Sequence, residues 1–337
     1  MKKARVAVIG AGGIAEGVHL PSLAEIEEAE VVAICDLIVE KAEAMAKQYN
    51  IPGVYKDMYE MLEKEKPDCV FVLVEPDRLF RAAADCLRRG FHVILEKPAG
   101  TSSHQTNHLA RLAEKENLIC AVAMNRRHIP LVQEVKRRME ELTPITQVDG
   151  CFMKSTDLSE VWDYHCAFDC DGIHALDLVR YLAGSEVEKC ATVTGRFSDC
   201  PVDNAWSGVM RFENGVTGTI RSNYQAGARI HTFEMHGPGA SAVINLGMGD
   251  AACNATIYIS DEGKMYSMAS GGVGNNNVIH LDGLELAKSD AYHAYYGYKS
   301  EDEDFIHAVI TGTKPLCTVA DAAKSMELVE KIHASSI

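Results

Sequence analysis

The feature that most restricts this chain is the stretch Arg5-Val6-Ala7-Val8-Ile9-Gly10-Ala11-Gly12-Gly13-Ile14-Ala15, an apolar run that stops at a glycine cluster and resumes with helical spacing. An unbroken run of Val and Ile fills the space between helix layers on both faces of a parallel sheet, so it reads as a buried strand. Gly10 permits the tight turn out of the strand, and Gly12 lets a pyrophosphate approach bare backbone. Ala15 stands where a third small residue allows close helix–strand packing. The helix that follows offers free N–H groups and a positive dipole end to the phosphates. Gly10, Gly12, Gly13 and Ile14 are therefore the expected dinucleotide cradle, although G-x-G-x-x-A alone also describes an ordinary strand-to-helix turn. A second apolar run, Val31-Val32-Ala33-Ile34-Cys35, ends on Asp36. An acidic residue there accepts hydrogen bonds from the adenosine ribose and repels a 2′-phosphate, which favours NAD over NADP.

The alternation continues. Helical patterns at 39–49, 58–64, 77–89 and 103–116 separate extended runs at 53–55, 69–74, 92–95 and 118–123, and Pro21 predicts a kink or break in the first helix, which runs to about residue 28. Such a pattern specifies an α/β fold with an N-terminal Rossmann, doubly wound parallel sheet over residues 1–123. Past Met124 the grammar changes. After a helix at 127–141, extended runs recur at 146–153, 187–197, 204–212, 216–224, 229–236 and 242–246, and Asn214-Gly215 between two of them is a hairpin signal. Residues 124–337 are thus expected to form an α+β domain with a large, mainly antiparallel sheet. Ser300-Glu301-Asp302-Glu303 reads as a capping box opening a helix to Thr311, and a closing amphipathic helix covers 319–333.

Net charge decides against two partner classes. A formal charge of −15 over 337 residues argues against a nucleic acid or an anionic membrane surface. No apolar run approaches membrane-spanning length, and Met1-Lys2-Lys3 leads into a strand without a leader-like apolar core. Eleven cysteines without a C-x-x-C pair suit a reducing cytoplasm rather than a disulfide framework.

Two segments carry chemistry. Glu96-Lys97-Pro98 follows the run 92–95, at the carboxyl edge of the sheet where ligands bind. A Lys there can donate to a substrate hydroxyl or a developing alkoxide, and equally can serve as a surface Lys paired with Glu96. A proline directly after Lys97 raises a cis Lys97–Pro98 bond as an expectation, one that would aim the Lys side chain. The second segment runs from Tyr164 to Asp177 and crowds ionisable groups at the start of an amphipathic helix, where His174 can exchange a proton near neutral pH unless it is a satisfied core histidine. Cys166, Cys170 and His174 fall on one helical face, but no fourth ligand has a recognisable spacing and Gly172 disfavours an early regular helix, so no metal is expected. Arg126, Arg127 and His128 open the second domain as candidates to touch ligand, or as a solvated charged turn.

Taken together, the Gly10–Ala15 turn, Asp36, Glu96-Lys97-Pro98 and Gly172-Ile173-His174-Ala175-Leu176-Asp177 resemble the glucose–fructose oxidoreductase / inositol dehydrogenase (Gfo/Idh/MocA) family over essentially the whole chain. The resemblance implies an NAD-dependent oxidoreductase that moves a hydride between nicotinamide and a secondary hydroxyl carbon of a sugar, sugar derivative or cyclitol. It makes Lys97 and His174 catalytic, with His174 as acid/base, and Asp177 structural. Glu96 and Lys97 then also border the cofactor. Arg127, Tyr164, Asp169, Cys170 and Asp171 join Lys97 and His174 at the substrate. The family's Asp four residues before the His is here Cys170, so the carboxylate falls to Asp171 or Asp169, with Asp171 preferred. The family's T-P-x-x-x-H is here Glu75-Pro76-Asp77-Arg78-Leu79-Phe80, without the His. A homodimer or homotetramer through the C-terminal sheet is implied as well. Two alternatives share the fold: a redox-assisted glycoside-cleaving enzyme that uses NAD, and a non-catalytic NAD-binding regulator.

Overall fold

The computed structural model describes residues 3–156, 167–248, 252–260 and 277–335. The chain divides into two compact units, one of Met1–His128 with Ala291–Glu327, the other of Ile129–Asp290 with Leu328–Ile337. The single boundary expected at 123/124 thus meets a chain that returns: the first unit also takes in residues 291–327.

In the first unit, six strands among the described residues form a parallel sheet: β1 (Ala4–Ile9), β2 (Ala29–Cys35), β3 (Gly53–Tyr55), β4 (Cys69–Val72), β5 (His92–Leu95) and β6 (Cys120–Val122). Their order is β3-β2-β1-β4-β5-β6, so the direction of winding reverses between β1 and β4. Val6, Val8, Val70 and Phe71 are fully buried, as strands covered on both faces require. The returning segment completes that core. Phe305 stacks edge-on against Phe71 at 5.6 Å, and the Cys317 carbonyl accepts the Val122 N–H at 3.2 Å.

Local chemistry refines two helix expectations. The first helix opens with a π-turn at Ala15–His19 and continues as α-helix over Leu20–Glu25, so the break expected near Pro21 takes the form of a change from π to α winding just before it. Ser300 is not a cap: the helix Tyr298–Thr311 starts after Gly297, which is left-handed at φ 88°, and Glu301 and Asp302 point inward, 2% and 0% exposed. Ser300 is the third residue of the helix, past the N-cap position that a capping box requires.

In the second unit, eight described strands form one sheet: β7 (Gln147–Ser155), β8 (Val187–Gly195), β9 (Ala205–Phe212), β10 (Thr217–Asn223), β11 (Gln225–Gly237), β12 (Ala240–Asn245), β13 (Asn254–Ile259) and β14 (Asn277–Asp282). The order is β14-β13-β12-β11-β7-β10-β9-β8, antiparallel except for the central β7–β10 pair. Asn214-Gly215 makes the β9–β10 hairpin: Gly215 is at φ 87°, and the Asn214 side chain accepts the Val216 N–H at 3.1 Å. The helix Ile173–Ala183 packs on β7 at Gly150, where a Cβ would lie 2.7 Å from Val179. Burial alternates along β9 and β10, so one face of the sheet is covered and the other open.

Candidate active site

Each candidate group lies where a strand ends or a helix begins. At the end of β1, Gly10 adopts φ 105°, and its amide donates to the Cys35 carbonyl at 2.8 Å. A Cβ there would sit 2.2 Å from the Leu73 carbonyl oxygen, so only glycine lets β1 turn beneath β4. Nothing lies within 4 Å of where a Cβ of Gly12 or Gly13 would be, which leaves this backbone open to a ligand. Asp36, at the end of β2, is fixed by two backbone donors: Ala11 N–H to Oδ2 at 2.7 Å and Ile38 N–H to Oδ1 at 2.8 Å. Each oxygen retains a lone pair for a further donor. Gly10, Gly12, Cys35, Asp36, Leu73 and Val74 border a cavity of about 440 Å³ at the winding reversal, where ligands of such sheets bind. Lys41, Lys56 and Arg78 also line it, while Gly13, Ile14, Glu96 and Lys97 do not. Bare backbone for a pyrophosphate and an anchored carboxylate for a ribose suit an adenine dinucleotide.

Along the same sheet edge, β5 delivers Glu96. Its carboxylate is nearly buried, and Oε2 accepts the Lys97 backbone N–H at 3.0 Å. Oε1 lies 3.3 Å from His19 Nε2. Burial works against the charged form, yet the His19 hydrogen bond and the charge of Lys97 outweigh it and hold Glu96 below the usual carboxylate range. The Lys97–Pro98 bond is cis. Lys97 is half-buried.

In the second unit, a π-turn over Phe168–Gly172 precedes the helix Ile173–Ala183. A helical start therefore forms despite Gly172, but as a wide turn. A Cβ on Gly172 would meet the Phe168 ring at 2.5 Å. His174 stands in the first turn of the α-helix and is 6% exposed. The three residues at or next to the family's Asp position have separate surroundings. Asp169 meets His333 Nε2 at 2.5 Å, and that contact raises the His333 pKa. Cys170 is buried. Asp171 receives Lys154 Nζ at 2.5 Å and lies 3.2 Å from the Tyr224 hydroxyl, which is also 3.0 Å from the Ala167 carbonyl. Lys154 and Tyr224 reach Asp171 from the sheet, across a sequence separation that no local pattern reveals. Tyr164 and Cys166 lie outside the described residues. Asp177 is buried within 3.8 Å of Arg180.

Arg127 is buried rather than solvated, with its guanidinium in an ion pair with Asp321. Arg126 lies over the Tyr296 ring at 5.8 Å. Among the described residues, no three His, Cys, Asp or Glu side chains are grouped to hold a metal, and no helix is long and apolar enough to cross a membrane.

Comparisons with known proteins point to one family. The family model described as "Oxidoreductase family, NAD-binding Rossmann fold" matches residues 4–124, and that described as "GFO/IDH/MocA C-terminal domain" matches residues 165–243. The D-glucoside 3-dehydrogenase of Escherichia coli is 23% identical over 86% of this chain and 91% of its own length. The myo-inositol 2-dehydrogenase of Thermotoga maritima is 25% identical over 77% of this chain and 78% of its own. In fold, a dehydrogenase from Chromobacterium violaceum superposes with a TM-score of 0.86 at 17% identity, covering 100% of this chain and 96% of that one. An Agrobacterium radiobacter oxidoreductase solved with NAD+, L-tartaric acid and magnesium superposes with a TM-score of 0.83 at 18% identity, covering 99% and 96%. The chain belongs to the Gfo/Idh/MocA oxidoreductase family.

Proposed function

We propose that this protein is an NAD-dependent dehydrogenase acting on a secondary hydroxyl of a sugar, sugar derivative or cyclitol. The observation that carries the reading is the anchored Asp36 facing the cavity beside Gly12, on the same strand-end edge that presents Glu96-Lys97. Relatives named as glucoside and inositol dehydrogenases support the substrate class. NAD, when bound, supplies the hydride acceptor. Gly10, Gly12, Gly13 and Ile14 hold its pyrophosphate and Asp36 its ribose, and the Asp36 charge disfavours a 2′-phosphate. His174 accepts the proton of the substrate hydroxyl, and Lys97 donates a hydrogen bond to that oxygen as negative charge develops. Asp171, fixed by Lys154 and Tyr224, supplies the carboxylate next to the family position and contacts substrate together with Asp169, Cys170, Arg127 and Tyr164.

The test is absorbance at the reduced-nicotinamide band while NAD is screened against free sugars, inositols, uronates and glycosides. Growth of the band with one substrate class is expected. It should fall by about 10²- to 10³-fold in Lys97→Ala and 10²- to 10⁴-fold in His174→Ala. Binding of NAD without growth of the band for any of these would contradict the reading and favour the glycoside-cleaving enzyme that recycles a held NAD, or the regulator. The open face of the second sheet carries exposed Val193, Val209, Val243, Tyr258 and Val278 on one side, a surface suited to a second copy of the chain. Sedimentation showing only monomer at micromolar concentration would refute that assembly.

A further inference from the structure

Behind the Glu96–Lys97 tip lies a cluster of ionisable side chains that the proposed chemistry does not use. His19 has no exposed surface. Its Nδ1 lies 3.0 and 3.1 Å from the two oxygens of Asp302, also fully buried, and its Nε2 lies 3.3 Å from Glu96 Oε1. Aromatic rings close the remaining sides, with Phe71 at 5.8 Å and Tyr298 at 6.1 Å from the imidazole. Among the described residues, Glu303 acts on Asp302, Lys97 on Glu96, and Arg126 and Tyr292 on Tyr298.

A carboxylate only accepts hydrogen bonds, so an imidazole between two ionised carboxylates keeps both contacts only by donating from both nitrogens. Were the ring neutral, one carboxylate would face a nitrogen lone pair unless it took up the proton itself. The bonded cluster therefore holds a shared proton. Burial alone lowers the His19 pKa, but the adjoining Asp302 and Glu96 outweigh it and raise the ring well above its ordinary value. Burying three such groups is costly, and an apolar trio of similar volume would commonly be at least as stable. The cost is placed directly behind the strand end that carries Lys97.

We propose that His19 is a positioning residue: held from behind by Asp302, it fixes the Glu96 carboxylate whose other oxygen receives the Lys97 backbone N–H. The proposal rests on Lys97 acting at the substrate hydroxyl. As pH rises far enough to strip the shared proton, Glu96 loses its donor and the tip loosens, so turnover declines on the alkaline side.

The test uses His19→Gln, Asp302→Asn and the pair. In His19→Gln the amide N–H still reaches Glu96, but its carbonyl oxygen meets the Asp302 carboxylate. Asp302→Asn converts that repulsion into a hydrogen bond. Turnover is read with myo-inositol and methyl glucoside as probes. For whichever is oxidised, kcat of His19→Gln should fall by about tenfold or more while KM for NAD changes by less than about twofold. The pair should recover most of kcat at neutral pH and lose the alkaline decline. A merely structural role would reduce the folded fraction without changing kcat per folded site or the pH profile. An unchanged kcat and pH profile in His19→Gln, or a folded pair that does not recover, would overturn the proposal. A second arm needs no substrate. Nitrogen NMR of the His19 ring should show both nitrogens protonated at neutral pH, and one bare nitrogen facing Glu96 would overturn it. Lys97→Ala runs in parallel, because retained activity there defeats the proposed function while the NMR arm still decides the cluster.

Discussion

Two glycines in one turn should separate folding from binding. In Gly10→Ala the side chain enters a backbone at φ 105° and a position 2.2 Å from the Leu73 carbonyl oxygen. The φ value costs about 1–3 kcal/mol for a residue with a Cβ. The contact cannot be relieved by rotating a side chain, because the opposing atom is backbone. Leu73 is tied to Ile9 by an N–H···O bond of 2.7 Å, and Gly10 to Cys35 by one of 2.8 Å. Moving Leu73 therefore strains the β1–β4 ladder, and the total destabilisation should exceed about 3 kcal/mol. Gly12→Ala meets nothing within 4 Å in the protein itself, so its stability should stay within about 1 kcal/mol. Its methyl group nevertheless enters the space expected for the pyrophosphate, and NAD affinity should fall by about tenfold or more. Urea denaturation of the protein without cofactor, beside calorimetric NAD titration, measures both effects. A wild-type urea midpoint in Gly10→Ala, or wild-type NAD affinity in Gly12→Ala, would refute the assignment of this turn.

Asp36→Ser should remove the charge that disfavours a 2′-phosphate while Lys41, Lys56 and Arg78 remain on the cavity wall, so NADP binding should improve by about tenfold relative to NAD, measured by paired titrations. Buried His128 is held neutral, its pKa pushed down to about 3 by burial and by Arg127. Because this folded value lies below the unfolded one near 6.5, the unfolded chain binds the proton more readily. Stability is therefore full above about 6.5 and is lost as pH falls towards 3, by up to roughly 4 kcal/mol. His128→Asn should flatten that part of the curve in denaturation followed from pH 7 to 4. Lys154→Met removes the cation on Asp171 and should lower kcat by about tenfold, and an unchanged kcat would mean that Asp171 does not depend on Lys154 for its part in the reaction.

The first unit was largely legible because its signals are local. A run such as Val6–Ile9 stops at a glycine, Pro52, Pro67 and Gly90 punctuate other connections, and Glu96-Lys97 follows directly on a strand. What escaped depends on contacts distant in sequence. Nothing near Phe305 announces that it will pack on Phe71, so the return of residues 291–327 to the first unit was invisible. The same separation hid Asp302 behind His19, and a surface motif was read at Ser300–Glu303 where two carboxylates turn inward. Hairpin signals foretold the antiparallel sheet but not its β7–β10 pair, whose parallel register joins strands far apart in the chain. The π-turn at Ala15–His19 replaces an expected regular helix start, whereas that at Phe168–Gly172 stands where Gly172 disfavours a regular one. Lys154 carried no signal at all, since only the sheet brings it to Asp171.

The central claim is hydride transfer from a carbinol carbon, with Lys97 and His174 acting on its oxygen. Its most direct test takes a substrate found in the NAD screen, deuterated at the carbon that is oxidised, and measures the mass of the NADH formed. One deuterium in the wild-type NADH is expected, with the rate of label transfer reduced at least about a hundredfold in Lys97→Ala and His174→Ala. NADH formed without deuterium, or label transfer undiminished in both variants, would contradict the account.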